Sequence, residues 1–215
     1  MPRQIKVDFH CHTSASKDGH TRLDDLLAIC DLRGIQRLAI TDHNTITTAL
    51  EGAARWPTRI IPGLEIMTSC GELIAYYVHE PVEQGLDPLE TIRLLKAQGA
   101  VISVSHPFDI FRNGGWKLSW LEKVLPYLDA VEVFNAHCIT SLPNWRAQAF
   151  ARRNKLAGTA GSDAHDTLEI GMAGLILPDF NDAHGLREAL LNASRFGKRT
   201  SLRVRLANSL MRTRK

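Results

Sequence analysis

The short apolar segments of this sequence end repeatedly in a histidine or a carboxylate. The first of them, residues 5–9, leads directly into His10 and His12. Side chains alternate along a β-strand, so these two imidazoles point to the same side and can bind one metal ion between them. Six of the nine histidines follow such segments. This pattern predicts that the ends of several strands meet at the functional site.

Strands and helices alternate along most of the chain. Apolar β-branched segments predict strands at 5–9, 37–40, 60–66, 73–78, 100–104, 130–134, 156–160 and 173–177. Amphipathic segments predict helices at 23–32, 47–55, 88–98, 120–128, 145–154 and 183–193. This alternation is typical of parallel β/α units and of the α/β fold class. About seven or eight units in one domain favour a small barrel over an open sheet.

Charge is unevenly distributed along the chain. The formal net charge is +3, yet residues 194–215 hold eight basic side chains and no acidic one. Residues 1–193 therefore hold 18 basic and 23 acidic groups. We predict one barrel domain over 1–193 and a basic C-terminal tail over 194–215. The tail is either solvated or in contact with nucleic acid or another anionic surface.

Cysteine usage and the N-terminus indicate the compartment. The four cysteines, at positions 11, 30, 70 and 138, form no C-x-x-C pair, so we expect free thiols in a reducing compartment. The N-terminus lacks the apolar core of a signal peptide. No apolar run approaches the roughly 20 residues that cross a bilayer. A cytoplasmic protein without a membrane span is expected.

Five motifs, taken in order, carry a family resemblance. They are DFHCHTSASKDG from Asp8, ITDHN from Ile40, PGLEI from Pro62, SHP from Ser105 and GSDAH from Gly161. This ordered set resembles the motifs of the PHP family, named for polymerase and histidinol phosphatase. The resemblance runs from residue 8 to about residue 177. It implies a distorted (β/α)7 barrel with up to three metal ions at the C-terminal ends of its strands.

Carried over motif by motif, the resemblance implies nine metal ligands. They are His10, His12, Asp18, His43, Glu65, His79, His106, Asp163 and His165. Nine ligands exceed the roughly four to six of a single ion, so they suit two or three divalent ions with a carboxylate such as Glu65 as a bridge. Mixed imidazole and carboxylate ligands favour Mn, Zn or Fe over Ca or Mg.

The expected chemistry follows from clustered positive charge. Bound ions lower the pKa of a water molecule towards neutrality, supply hydroxide and hold the phosphoryl oxygens of a substrate. Asp8 and Asp42 are expected to orient ligand histidines by accepting hydrogen bonds, and Asp42 is also a catalytic candidate for proton transfer. His137 follows a strand end and is a second catalytic candidate. Arg112 and Lys117, on a glycine-containing loop, are candidates to bind the phosphate.

These observations predict a metal-dependent phosphoesterase that hydrolyses a small phosphate ester with a metal-bound hydroxide. Only 26 residues separate His79 from His106, where relatives that act on nucleotides and RNA ends carry an inserted domain, so we expect an open site. The alternatives are a nuclease or nucleotide phosphodiesterase acting on nucleic-acid ends, a non-catalytic metal-stabilised module, and an amidohydrolase acting on C–N bonds. The sequence does not specify the substrate, the metal or the oligomeric state.

Overall fold

The computed structural model describes residues 2–112 and 115–201 of the chain. Within them the strands are β1 (Gln4–Asp8), β2 (Arg37–Ile40), β3 (Ile60–Met67), β4 (Glu72–Tyr76), β5 (Val101–Val104), β6 (Ala130–Asn135), β7 (Ala157–Gly161), β8 (Ala173–Pro178) and β9 (Ser194–Gly197). The helices are α1 (Leu23–Leu32), α2 (Thr47–Arg55), α3 (Pro88–Ala97), α4 (Leu118–Val124), α5 (Leu142–Asn154) and α6 (Ala183–Leu190).

The nine strands form one sheet that nearly closes into a barrel. Its order is β7-β6-β5-β4-β3-β2-β1-β8-β9. Past the end of β1, the Phe9 N–H donates to the Ala160 carbonyl at 3.3 Å, and the His12 N–H donates to the Ala164 carbonyl at 2.8 Å. These bonds join the end of β1 to the end of β7, so the α/β fold is a distorted barrel as expected.

Two strands within the barrel run against the parallel direction that the sequence pattern predicts. β4 is antiparallel to both β3 and β5, and β8 is antiparallel to β1. Only residues 68–71 connect β3 to β4, whereas a parallel connection needs a crossover of about a dozen residues. The two strands therefore form a hairpin, and β4 enters the sheet from the end at which β3 leaves it.

The core lies inside the barrel and between the sheet and its helices. Ile5 and Val7 on β1, and Phe9 directly after it, alternate with polar residues and are all buried, as expected for a strand with one face inward. The Phe9 ring meets Tyr76 edge-on, with ring centroids 5.3 Å apart, and stacks on Phe180 at 6.4 Å. This packing fixes β1, which leads directly to His10.

Local signals explain most of the helix bounds. Asp87 caps α3 by accepting a hydrogen bond from the Leu89 N–H at 2.9 Å, and Pro88 occupies the first turn, where its missing N–H costs nothing. The helix expected at 120–128 instead ends at Val124 and continues as a 3-10 turn, Leu125–Tyr127. Pro126 lacks the N–H that would continue the α-helical bonding.

The chain beyond residue 193 returns to the sheet. Ser194–Gly197 form β9, which pairs antiparallel with β8, so the first residues of the expected tail are part of the barrel sheet. Only Phe196 is apolar among them and the strand is largely exposed, which is why its sequence resembles a solvated segment. The remainder of the expected basic tail, 202–215, lies outside the described residues.

The described part of the chain contains no helix that is long and apolar enough to cross a membrane. Cys11, Cys30 and Cys70 are free thiols, and Cys11, Cys30 and Cys138 are buried.

Candidate metal centre

The residues that follow β1 form the first wall of the centre. His10 and His12 are both fully buried, and their Nε2 atoms lie 3.1 Å apart. Cys11, between them, packs on the opposite side against Leu26 and Cys30. The alternation predicted for this strand end therefore holds, and two imidazoles face one point.

Hydrogen bonds at the Nδ1 atoms decide which ring nitrogens of neutral His10 and His12 carry a proton. His10 Nδ1 donates to Glu132 Oε1 at 2.9 Å. Ser16 Oγ donates its proton to Asp42 Oδ1 at 2.9 Å, so it accepts a hydrogen bond from His12 Nδ1 at 3.3 Å. With both Nδ1 atoms donating, each Nε2 of a neutral ring presents a lone pair. Two lone pairs at 3.1 Å repel each other unless a proton or a metal ion lies between them.

Neighbouring charges and burial determine which of the two rings, His10 or His12, is protonated in the metal-free protein. Burial lowers the pKa of His10, but the carboxylates of Asp163, Glu65 and Glu132 together raise it well above its ordinary value. Burial and the neighbouring His165 lower the pKa of His12 to about 3. One proton is therefore held where the two rings meet, and a divalent ion can replace it.

Glu65, at the end of β3, lies at the middle of the cluster. Its Oε2 is 3.2 Å from His10 Nε2, 3.4 Å from His12 Nε2 and 3.1 Å from His43 Nδ1, yet it accepts no hydrogen bond from any residue that the structure describes. Its Oε1 is 3.2 Å from His106 Nε2. Burial acts to raise the pKa of Glu65, but the imidazoles, His10 first, bring it well below the ordinary value. Such an orphaned buried oxygen suits a ligand that bridges two ions.

Asp163 forms the opposite wall, after β7. Its Oδ1 lies 3.2 Å from His12 Nε2. Its Oδ2 accepts from Arg112 Nη2 at 2.5 Å and from Asn135 Nδ2 at 3.0 Å. The backbone of Asp163 is left-handed, with φ +54°, a strained conformation that is common at functional sites. Burial acts against its ionisation, but Arg112 and His10 hold its pKa well below the ordinary value.

A third part of the cluster lies nearer the solvent. His165 Nε2 is 3.3 Å from Asp18 Oδ2, and His43 Nε2 is 3.9 Å from Asp18 Oδ1. The side chain of Asp18 is 46 % exposed. His165 Nδ1 is 2.9 Å from the backbone carbonyl of Asp163 and donates to it, which leaves Nε2 as the metal-binding atom. The hydrogen bond with His165 and the nearby imidazoles lower the pKa of Asp18.

The expected ligand His79 does not lie in this cluster. Its side chain is exposed, its backbone N–H donates to Gln98 Oε1 at 2.9 Å, and it lines a surface cavity with Glu80 and Leu94. The reason is the reversed direction of β4. His79 follows the end of that strand, which lies at the far end of the barrel from the end of β3.

Glu72, at the start of β4, occupies the place expected of His79. Its Oε2 is 3.5 Å from His106 Nε2, and its Oε1 is 3.9 Å from His43 Nδ1. Burial, with the charge of Glu65 beside it, raises the pKa of Glu72 to about 7. Glu72 is not among the ligands expected from the sequence. The four-residue connection from β3 nevertheless indicates a hairpin, which places the start of β4 beside the end of β3.

Asp8 and Asp42, the carboxylates expected to orient ligand histidines, are buried. They accept hydrogen bonds from backbone N–H groups and hydroxyls rather than from imidazoles. Asp8 accepts from the N–H groups of Ser162 at 2.9 Å, Gly171 at 2.8 Å and His10 at 3.2 Å. Burial raises the pKa of Asp8 to about 6. Asp42 accepts from Thr13 N–H at 2.6 Å, and burial raises its pKa.

Glu132 performs the role that was expected of Asp8. It orients the ring of His10 and accepts from the His106 N–H at 2.8 Å. A glutamate between Val131 and Val133, in a strand whose other residues before Asn135 are apolar, was the available signal, because a buried carboxylate needs partners.

The other candidates lie at different distances from the cluster. Arg112 reaches it through Asp163, whereas Lys117 is exposed on the same loop and forms no ion pair within the described residues. The His137 ring centroid is 5.4 Å from that of His165, and His137 Nδ1 is 3.6 Å from Glu169 Oε1. The structure therefore brings Arg112 and His137 to the edge of the centre.

The imidazoles and carboxylates form several sets that could hold metal ions. Among the described residues, four sets have their donor atoms within 4.8 Å of one another: His10, His12 and Asp163; His12, His43 and His165; His43, Glu65 and Glu72; and His137, His165 and Glu169. The facing imidazole nitrogens and the orphaned oxygen of Glu65 fit cations of the kind that the sequence predicts.

Gly161 allows β7 to approach β1 closely enough to build this wall. A Cβ there would lie 2.3 Å from His10 Cβ and 2.6 Å from His10 N. We expect Gly161→Ala to displace His10, to destabilise the fold by about 1–3 kcal/mol or more, and to reduce bound metal. Thermal unfolding and elemental analysis measure both effects. Gly185→Ala, in α6 with its nearest neighbour at 3.3 Å, is the control, and an equal melting temperature for the two variants would contradict the prediction.

Known proteins share both the sequence features and the fold. The family model of the PHP domain matches residues 8–97, and the PHP-associated model matches residues 141–198. An uncharacterised protein of Methanocaldococcus jannaschii is 35 % identical over 180 residues, which cover 82 % of this chain and 72 % of that protein.

Solved structures extend the comparison to the whole fold. PsfC from Pseudomonas syringae PB-5123 superposes with a TM-score of 0.76 at 20 % identity, covering 98 % of both chains. A two-domain protein of Bacteroides vulgatus ATCC 8482, described as containing a predicted PHP-like metal-dependent phosphoesterase, superposes with a TM-score of 0.71 at 20 % identity. That match covers 92 % of this chain and 66 % of the Bacteroides protein. The matched models, the archaeal relative and the shared fold lead to one assignment: the chain belongs to the PHP family.

Proposed function

We propose that this protein is a metal-dependent phosphoesterase that hydrolyses a small phosphate ester. The observation that carries the proposal is the pair of facing imidazole nitrogens of His10 and His12, 3.1 Å apart, with the buried carboxylates of Glu65 and Asp163 beside them. The description of the Bacteroides protein as containing a predicted PHP-like metal-dependent phosphoesterase supports the reaction class.

The proposed cofactors are two or three divalent ions of Mn, Zn or Fe. His10, His12 and Asp163 would hold one ion, and His43 and His165, with Asp18, a second. Glu65 and Glu72, with His106, would hold a further ion or bridge to it. Bound ions supply an activated water molecule and neutralise the oxygens of a phosphoryl group.

The chain's own residues would orient the substrate and hold its charge. In the hydrolysis, a water oxygen bonds to phosphorus, the bond from phosphorus to the ester oxygen breaks, and that oxygen takes a proton. Arg112 is fixed by Asp163 and by Asp109, 3.5 Å from its Nε, and presents a positive charge beside the centre. We assign it and Lys117 to the phosphate. His137, whose side chain is 25 % exposed, is assigned to substrate contact.

Asp42 is better suited to positioning than to proton transfer. Its two carboxylate oxygens accept from Thr13 N–H at 2.6 Å, Thr13 Oγ1 at 2.7 Å and Ser16 Oγ at 2.9 Å. Ser16 in turn accepts from His12 Nδ1. Asp42 thus fixes the orientation of a ligand imidazole through one hydroxyl.

The connection between β4 and β5 supports a small substrate. Residues 77–100 make this connection and contain one helix, α3, so no additional domain is inserted there to cover or extend the centre. A phosphomonoester or a small phosphodiester fits this arrangement better than a polymer that needs an extended binding surface.

The first test combines elemental analysis of the purified protein with a phosphate-release assay after metal reloading. The panel contains alkyl and aryl phosphates, nucleotides, 5′-phosphorylated oligonucleotides and amides. We expect two to three equivalents of Mn, Fe or Zn, with release from small esters. Cleavage of oligonucleotide ends alone would establish a nuclease, and turnover of amides alone an amidohydrolase. Less than one equivalent of metal with no turnover would leave a non-catalytic module.

A further inference from the structure

A cavity of about 380 Å³ adjoins the proposed metal centre. We name it the Trp116 pocket, and its walls include Phe108, Ile110, Arg112, Trp116, Lys117 and Arg146. Arg112 belongs to both places, because it lines the pocket while its Nη2 lies 2.5 Å from Asp163 Oδ2. A group held in this pocket is therefore one side chain away from the centre.

The apolar walls of the pocket are fixed by contacts outside it. The Trp116 indole donates its N–H to the Glu72 carbonyl at 2.9 Å and is only 8 % exposed. Its ring packs so tightly on Gly71 that a Cβ there would come within 2.5 Å. Phe108 meets Phe150 edge-on at 5.7 Å. Rigid aromatic walls bind a flat apolar group at little cost in side-chain entropy.

The pocket also carries uncompensated positive charge. Asp109 is the one acidic side chain among the lining residues, and it lies 3.5 Å from Arg112, which also binds Asp163. Lys117 and Arg146 are exposed and have no ion-pair partner within the described part of the chain. Two free cations at the edge of an apolar cavity favour a ligand that is both apolar and anionic.

From these walls and charges we propose that the Trp116 pocket binds the leaving group of the substrate, and that this group is an aromatic body bearing its own anionic substituent. The inference rests on the proposed phosphoesterase function and specifies its substrate class. A volume of about 380 Å³ lies in the range of small-molecule sites, roughly 300–1,000 Å³, and accommodates one ring system rather than a chain of them.

The kinetic test uses two aryl esters that differ only in the anionic substituent, phenyl phosphate and 4-carboxyphenyl phosphate. With the metal-loaded protein we expect kcat/KM to be about tenfold higher for the carboxylated ester at low ionic strength, since a charge-assisted hydrogen bond is among the strongest polar contacts. The preference should shrink at high salt, which screens exposed charges. Arg146→Ala should lower kcat/KM for the carboxylated ester more than for phenyl phosphate.

The control variant is Lys96→Ala, which removes one positive charge from the exposed face of α3, outside the pocket. It should keep the full preference. Equal kcat/KM values for the two esters, or a preference that persists in Arg146→Ala, would overturn the proposal. A preference for 5′-phosphorylated oligonucleotides over both aryl esters would overturn it in favour of a nucleic-acid end.

A binding measurement separates this proposal from the proposed function. Calorimetric titration of the metal-loaded protein with 4-hydroxybenzoate, the leaving group itself, needs no turnover. Binding that weakens about tenfold in Arg146→Ala, with unchanged binding in Lys96→Ala, supports the pocket even if no ester is hydrolysed. Absence of 4-hydroxybenzoate binding in a protein that does hydrolyse esters would overturn the pocket and leave the phosphoesterase intact.

Discussion

His10→Ala and Asp163→Asn are each expected to abolish phosphate release and to leave the purified protein with at least one metal ion fewer. His10 is fully buried, and its Nε2 lies 3.1 Å from His12 Nε2 and 3.2 Å from Glu65 Oε2. Loss of an outer partner of a metal ligand alone costs roughly 10–100-fold in metal affinity. Loss of the ligand itself should therefore reduce kcat/KM by more than about 100-fold.

The asparagine variant tests charge rather than shape. It keeps the volume of Asp163 but removes the carboxylate that Arg112 and the imidazoles share. Elemental analysis and phosphate release are the two measurements. His184→Ala is the control, because that side chain is 81 % exposed on α6 and its ion-pair contact is with Glu188 on the same helix. Full metal content with normal turnover in His10→Ala would contradict the assigned centre.

Glu72→Gln is expected to remove one ion from the centre, whereas His79→Ala should bind as much metal as the unmodified protein. Glu72 has its carboxylate 3.5 Å from His106 Nε2 and 3.9 Å from His43 Nδ1, while His79 is exposed and away from the cluster. Glutamine keeps the shape of the side chain but lacks its charge. We expect metal affinity at this position to fall by at least about 10–100-fold.

A melting measurement on the metal-free protein tests whether Glu72→Gln loses metal without a loss of fold stability. Burial and Glu65 raise the folded-state pKa of Glu72 to about 7 from 4.5. The stability that this group contributes is therefore complete below pH 4.5 and lost as pH rises through about 7. At pH 8 the buried charge opposes folding, so metal-free Glu72→Gln should melt no lower than the unmodified protein. Metal loss in His79→Ala, or full occupancy in Glu72→Gln, would count against this assignment.

Much of the architecture was predictable because its causes are local. The bounds of α1, α2 and β2 coincide with those predicted from apolar periodicity and flanking breakers. The alternation of side chains along β1 likewise placed His10 and His12 on one side. Such features depend on neighbours within a few residues, and a single sequence contains those neighbours.

Other features depend on residues distant in the chain. Glu132 meets His10 across 122 positions, and Arg112 meets Asp163 from a different loop. β9 carries only one apolar residue, Phe196, and gains its place by pairing with β8. The valines beside Glu132 indicate that its carboxylate is buried, but the partner of that carboxylate and the pairing of β9 are decided only by the fold.

The sequence by itself determined the order of most strands and helices, the apolar core of the barrel and the chemical character of a centre built from imidazoles and carboxylates. Only the tertiary structure decided which of these groups meet. β4 runs antiparallel to its neighbours, so the start of the strand lies with the ends of β3 and β5. That reversal brings Glu72 into the centre and leaves His79 at the other end of the barrel. Strand direction is set by the length of the connections and by the partners that a strand bonds across the sheet, and the alternation of side chains along the strand does not record it.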